Sequence, residues 1–277
     1  MKTRIISGIV MGVIVACVLA VGFLWNTAVI TVAIALLAAV AVYELLHNAA
    51  KIDSKYTLIG AVVYVFLNTL LPLEIPTYIL SSYLLPPSVS YKSLALGVLY
   101  FIFAAVGTLK NNKNFSLGHI CASCFGPMIL STAFVFLNFV IISRESLYYL
   151  LLLFNFSSVC DMGAYFSGVT LGKHKLCPAI SPKKTVEGAV GGILSSIVVT
   201  LILALCFKKA ILVPMLLTIP LCVLGMIGDL FASAIKRSVD LKDYGSLIPG
   251  HGGILDRLDS ILMISPLLAL LMAIGII

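Results

Sequence analysis

Charge is what this sequence has least of: 10% of its 277 residues are Asp, Glu, Lys or Arg, against 61% that are hydrophobic. Soluble domains carry charge on roughly a quarter of their residues. A water-soluble globule is therefore excluded, and so is a disordered or fibrous chain. Histidine is scarce as well, with four residues (His47, His119, His174 and His251), which argues against a multi-histidine metal centre. The G-x-x-x-x-G-K-[ST] loop, a strand-linked G-x-G-x-x-G, the G-x-S-x-G elbow and the H-E-x-x-H pair are all missing. Soluble nucleotide-binding folds, serine hydrolases and zinc proteases thus find no support. No internal repeat, low-complexity linker or soluble domain is visible.

Long apolar runs are abundant. Nine can be marked, at about 5–25, 28–46, 57–73, 93–109, 117–143, 147–171, 188–206, 210–228 and 260–277. They are continuous rather than alternating and far exceed the length of a barrel strand, so helices of about 20 residues crossing a bilayer explain them. The sequence predicts an all-α integral membrane protein with about nine transmembrane helices. Met1 to Arg4 resembles the basic start of a signal peptide, but the run after it is too long and a second follows directly after Asn26 and Thr27; a true span is expected. The segment 74–91, interrupted by Pro76, Pro86 and Pro87, reads as an interfacial turn on the outer face.

Nine spans put the N-terminus on one face with the loops after spans two, four, six and eight. That face collects fourteen of the eighteen basic residues; only Lys92, Arg144, Lys208 and Lys209 fall opposite. The positive-inside rule makes the richer face cytoplasmic. The net charge of +7 then reflects topology, anionic headgroups or a phosphorylated substrate, and not nucleic acid. The seven cysteines lie mostly within apolar runs, and Cys121-x-x-Cys124 near His119 reads as buried packing.

The few charges are unevenly placed. Residues 161–259 hold seven of the eleven carboxylates: Asp161, Glu187, Asp229, Asp240, Asp243, Asp256 and Asp259. A carboxylate at membrane depth is costly and marks function by default. Chain organisation follows: 1–143 as a scaffold of about five helices, and 144–277 as a catalytic region of about four helices with two cytoplasmic motif loops. Helical spacing sets Asp229, Ser233, Lys236 and Asp240 on one face, flanked by Arg237. Asp161, Tyr165, Gly168 and Gly172 share another face, and Asp256, Asp259 and Ser260 a third. The loop GKHKLCPAISPKKTVEG (172–188) presents Lys183 and Lys184, and KDYGSLIPGHGGILDRLD (242–259) is rich in glycine. Carboxylates beside Lys, Arg and close-approaching backbone suit a hard cation holding phosphates.

From Ser233-Ala-Ile-Lys236-Arg237, through Lys242-Asp243-Tyr-Gly245, to Ile248-Pro-Gly-His251-Gly252-Gly253-Ile-Leu-Asp256-Arg257-Leu-Asp259, the chain resembles the signature of phosphatidate cytidylyltransferases, also called CDP-diacylglycerol synthases. Asp161-x-x-Ala164-Tyr165-x-x-Gly168 and Ser181-Pro182-Lys183-Lys184-Thr185-x-Glu187-Gly188 resemble that family's second block. Met162 and Ala179 depart from its usual residue types. The motif-bearing likeness covers about 155–265.

The resemblance implies transfer of the cytidylyl group of CTP to phosphatidate, giving CDP-diacylglycerol and pyrophosphate, at the cytoplasmic side of the plasma membrane and with Mg²⁺. It also permits a second cation, K⁺ among the candidates. Asp229 and Asp256 are expected as metal ligands with a cation between them, and Asp161 and Asp259 as supports or second-site ligands. Lys183, Lys184, Lys236 and Arg237 are expected to neutralise substrate phosphates. Ser233, Lys242, His251, Gly252, Gly253 and Arg257 are expected at the substrates. The partners are CTP, phosphatidate and membrane lipids, without nucleic acid and with a homodimer left open. The rivals are another CTP-using lipid enzyme (an ether-lipid cytidylyltransferase or a polyprenol kinase) and a cation-coupled transporter.

Overall fold

An uncharged run in a bilayer can satisfy its backbone only within itself, and helix is the outcome. The protein, seen in a computed structural model, is described over residues 2–71, 87–110 and 117–277. Its helices are α1 (Lys2–Leu24), α2 (Ala28–Tyr43), α3 (Lys55–Leu70), α4 (Pro87–Lys110) and α5 (Leu117–Ile142), then α6 (Ser146–Phe154), α7 (Cys160–Leu171), α8 (Val186–Cys206), α9 (Leu212–Ser238) and α10 (Leu255–Ala273). A π-helical turn, Glu44–Ala49, continues α2, and another, Asn155–Val159, joins α6 to α7.

Each of the nine apolar stretches is helical over most of its described length. Six of the helical segments are long and apolar enough to cross a membrane: Ile6–Leu24, Ala28–Ala49, Leu117–Ile142, Ser146–Leu171, Val186–Cys206 and Leu212–Ser238. This is a multi-pass membrane protein. Six is the number among the described residues, against the nine expected. Lys55–Leu70 and Lys92–Thr108 are shorter apolar segments, the second of them part of α4, whose 24 residues extend about 36 Å at 1.5 Å per residue. The last helix, α10, carries Asp256, Arg257 and Asp259 near its start. The interfacial turn expected at 74–91 lies outside the described residues as far as 86, and from Pro87 the chain is already helical.

The chain forms two compact units. The first comprises Met1–Ile142 together with Val239–Arg257, and the second Ser143–Ser238 together with Leu258–Ile277. The sequence suggests a single division, after residue 143. Segment 239–257, which that division assigns to the C-terminal half, instead packs with the first helices.

Small residues let α2, α3 and α5 approach in the first unit: Ala35, Ala38, Ala41 and Ala61 are fully buried. Lipid offers helices little hydrophobic reason to associate, so packing and interhelical hydrogen bonds carry the contact. Thr31 Oγ1 donates to Asn138 Oδ1 (3.1 Å), and Asn68 Nδ2 donates to Ser131 Oγ (2.7 Å). The second unit uses the same means. Asn155, buried in its π turn, donates through Nδ2 to Ser196 O (3.0 Å) and Thr200 Oγ1 (2.9 Å) of α8.

Helices α7 and α8 are close enough that a Cβ on Gly192 would lie 2.6 Å from the carbonyl oxygen of Cys160. Backbone cannot yield as a side chain can, and overpacking of this kind costs about 1–3 kcal/mol. Gly192→Ala is therefore expected to lower the thermal unfolding midpoint of the detergent-solubilised protein by several degrees. Gly12→Ala, which meets nothing within 4 Å, serves as the control and is expected to leave the midpoint unchanged. Equal midpoints for both variants would refute the packing argument.

The helical reading of the chain does not anticipate one element. The 172–188 loop forms a small antiparallel hairpin of β1 (Lys175–Cys177) and β2 (Ser181–Thr185), pairing Lys175 with Thr185 and Cys177 with Ser181. The fold class remains all-α in bulk, with this hairpin as its exception. Cys121 is exposed and Cys124 buried; both are free.

Candidate active site

The hairpin decides between the two adjacent lysines. Side chains alternate along a strand, so Lys183 is exposed while Lys184 turns inward. Lys184 Nζ lies 2.6 Å from Asp229 Oδ2 on α9. Thr185, whose Oγ1 accepts from Gly188 N at 3.1 Å, caps α8. Glu187 then reaches back to accept from the backbone N–H groups of Lys173 and His174. The loop is thereby tied at both ends, and Lys184 is presented from β2.

Helix α9 runs ten residues beyond the apolar stretch expected at 210–228, which keeps Asp229, Ser233, Lys236 and Arg237 in helical register. Ser233 Oγ donates to Asp229 Oδ1 at 3.3 Å. Lys236 is buried, whereas Arg237 faces outward. Asp240 is a correction to the expected four-residue face. The helix ends at Ser238, and Asp240 stands in the left-handed region at φ 56.

Asp161, Asp229 and Asp259 all lie in the second unit and act on one another electrostatically, with Lys184 and Lys236 opposing them. Asp259 precedes the last apolar stretch. Burial pushes its carboxyl up to about 6, and the charge of Asp229 adds to the effect. Crowded carboxylates with this excess of negative charge favour a cation. Among the described residues no three His, Cys, Asp or Glu side chains form a group able to hold a metal. That geometry still fits Mg²⁺, which characteristically takes one or two carboxylates and completes its shell with water and phosphate oxygens.

Asp256, the other expected principal ligand, belongs to the first unit. Its Oδ2 accepts from Tyr244 N (2.7 Å) and Gly253 N (3.0 Å), pinning both ends of the glycine-rich loop. Within that loop Ile248-Pro249-Gly250-His251 makes a type II turn: His251 N donates to Ile248 O at 2.9 Å, and Gly250 supplies the positive φ of 78°. Gly252 also has positive φ, and a Cβ there would lie 2.9 Å from Asp256 Oδ2. His251 Nδ1 is 2.9 Å from Ser7 Oγ of α1, and Arg257 Nε donates to His251 O at 2.9 Å. Lys242 lines an open cavity of about 830 Å³ with His47, Asn48, Lys51, Asp53 and Asp243.

The chain matches the cytidylyltransferase family over residues 2–275. It belongs to that family. It is 35% identical to the phosphatidate cytidylyltransferase of Bacillus subtilis (strain 168) over 285 residues, covering 99% of this chain and 98% of that protein. It is 32% identical to the phosphatidate cytidylyltransferase of Staphylococcus aureus (strain COL) over 278 residues, covering 98% and 99%. A higher identity, 43%, to the Staphylococcus saprophyticus phosphatidate cytidylyltransferase extends over 149 residues, 52% of this chain and 57% of that protein. Membership thus extends over almost the whole chain, including the first helices, which carry none of the motifs.

Those first helices hold a residue that sequence reasoning missed. Glu44 opens the π turn after α2, is 4% exposed, and accepts from Ile254 N (3.0 Å) and Leu255 N (2.9 Å). From the same turn Asn48 Nδ2 donates to Tyr244 O at 2.5 Å. A lone carboxylate closing an apolar run was the available signal, since such a group requires a partner.

Proposed function

We propose that this cytidylyltransferase-family protein transfers the cytidylyl group of CTP to phosphatidate, forming CDP-diacylglycerol and releasing pyrophosphate. The observation that carries the proposal is the Lys184–Asp229 pair at 2.6 Å, which ties the family's second motif block to the carboxylate that also accepts from Ser233, the first residue of the signature. The nine-span reading, with the N-terminus and motif loops in the cytoplasm and the protein in the plasma membrane, is supported by the bias of basic residues and by bacterial relatives.

A phosphatidate oxygen attacks the α-phosphorus of CTP, and the bond from that phosphorus to the bridging oxygen breaks as pyrophosphate leaves. The nucleophile is a phosphate monoester with a second pKa of about 6, mostly dianionic at neutral pH, so no strong general base is required. The barrier lies in bringing two anions together, and the chain answers it by positioning and charge neutralisation. Lys184, Lys183, Lys236 and Arg237 supply positive charge to the phosphates. Roles as cation ligands are assigned to Asp229 with Asp161 and Asp259 in the second unit, and separately to Asp256 in the first. Bound Mg²⁺ would withdraw charge from the phosphates under attack and departure; K⁺ is the candidate for a second cation. The acyl chains stay in or beside the bilayer, as substrate amphiphilicity dictates.

Labelled CTP tests the reaction. With purified protein in vesicles containing phosphatidate and Mg²⁺, α-label is expected in lipid and γ-label in pyrophosphate. Entry of γ-label into lipid would establish a kinase instead. Absence of pyrophosphate release that depends on phosphatidate would sink the proposal.

A further inference from the structure

The glycine-rich loop is held by a buried acid far from it in sequence. Both Glu44 oxygens are used by loop backbone: Oε1 accepts from Ile254 N and Oε2 from Leu255 N. The carboxylate also fills a niche between two glycines. A Cβ on Gly253 would lie 2.4 Å from Glu44 Oε2, and one on Gly245 would lie 2.5 Å from Oε1. These residues flank the two ends of the loop. Tyr244 beside them is 1% exposed and is held through its carbonyl by Asn48, from the same π turn as Glu44. Asp256 closes the neck from the other side through Tyr244 N and Gly253 N.

A cap needs only one or two N–H groups at a helix start, and Glu44 provides that for α10. The arrangement does more than cap. It fixes Gly245 and Gly253 against one point, so the turn at 248–252 and the carboxylate of Asp256 are set by where Glu44 stands. π-helical turns are frequent at functional sites, and this one aims Glu44 and Asn48 at the two loop ends together.

We propose that Glu44 is a positioning residue for cytidylyl transfer: it presets the glycine-rich loop and Asp256, which makes the second apolar segment part of the catalytic apparatus. This rests on the cytidylyltransferase reading above. Glu44 hydrogen-bonds loop backbone, so its effect on the reaction passes through the loop and Asp256. Misplacement of a catalytic group by about 1 Å costs on the order of 100-fold in rate.

The test uses full-length protein purified into vesicles, with turnover expressed per folded molecule and unfolding followed separately. Glu44→Gln keeps the size but presents an NH₂ to one of the two donors. Its kcat is expected to fall about 10- to 100-fold, with KM for CTP and for phosphatidate within about twofold of the parent. Gly245→Ala perturbs the same point while leaving Glu44 intact, and the same kcat-selective loss is expected. It also replaces Glu44→Gln if that variant cannot be recovered folded. Parental kcat per folded molecule in the recovered variants, even with a lowered unfolding midpoint, would overturn the proposal and leave Glu44 a structural cap. The unmutated protein is the internal control: if it releases no pyrophosphate with phosphatidate, the reading of the function fails, whereas an active parent with active variants removes only the role of Glu44.

Discussion

Asp229→Asn is expected to lower kcat by about 10³-fold, the scale at which loss of a single stabilising group is felt in charge-dominated transition states, while folded protein accumulates in the membrane. The substitution keeps the shape and an acceptor oxygen. Its oxygen can accept from Lys184 Nζ, which stands at 2.6 Å from the present carboxylate, and its NH₂ then faces Ser233 Oγ, which can turn to accept. It also removes one charge from a group in which Asp161 and Asp259 repel Asp229, so stability is not expected to suffer. The loss falls on chemistry: fewer negative charges remain to hold a cation against substrate phosphates, and Lys184 keeps only a neutral acceptor. Pyrophosphate release from CTP, measured at saturating phosphatidate over a range of Mg²⁺ concentrations, reads the effect. A higher Mg²⁺ requirement alongside the fall in kcat is expected. Parental activity at every Mg²⁺ concentration would eliminate Asp229 as a ligand.

Asp256 allows a cleaner division, because it does two separable jobs. Its Oδ2 accepts from Tyr244 N and Gly253 N, and its charge is the feature that the proposed chemistry uses. Asn retains an acceptor for both N–H groups, so Asp256→Asn is expected to reduce kcat by about 10²- to 10³-fold with a near-parental unfolding midpoint. Asp256→Ala strands both donors, and a buried donor left unpaired costs about 1–3 kcal/mol. Its activity should be no higher than that of Asp256→Asn, and its midpoint lower by several degrees. Comparing the two by activity and thermal unfolding separates loop anchoring from catalysis. Identical midpoints would show that the two backbone contacts contribute nothing to stability, and an active Asp256→Asn would confine Asp256 to holding the loop.

Much of this was legible in the sequence, for reasons that are local. A run such as Ala28-Val29-Ile30 and onward through α2 has almost nothing to offer water, so the apolar stretches announce helices wherever they occur. The i, i+4, i+7 spacing placed Asp229, Ser233 and Lys236 on one helix face, and α9 keeps them in register. The same reasoning failed at Asp240, because extrapolating helical period cannot see where a helix stops. It also could not distinguish Lys183 from Lys184, since that choice depends on a strand in a loop too short to show alternation by itself.

The sequence by itself determined that the chain lives in a bilayer and that it is helical, and it carried the cytidylyltransferase resemblance between Asp161 and Asp259. The first two follow from hydropathy and the third from likeness of motifs, all of them properties of neighbouring residues. Only the tertiary structure decided that Lys184 and not Lys183 meets Asp229, that 239–257 packs with the first helices, and that Glu44 holds both ends of the glycine-rich loop. The side-chain pairings among these join groups separated by between 45 and 211 residues along the chain. They are set by the need of a buried charge for a partner, and that need names no partner until the helices have packed.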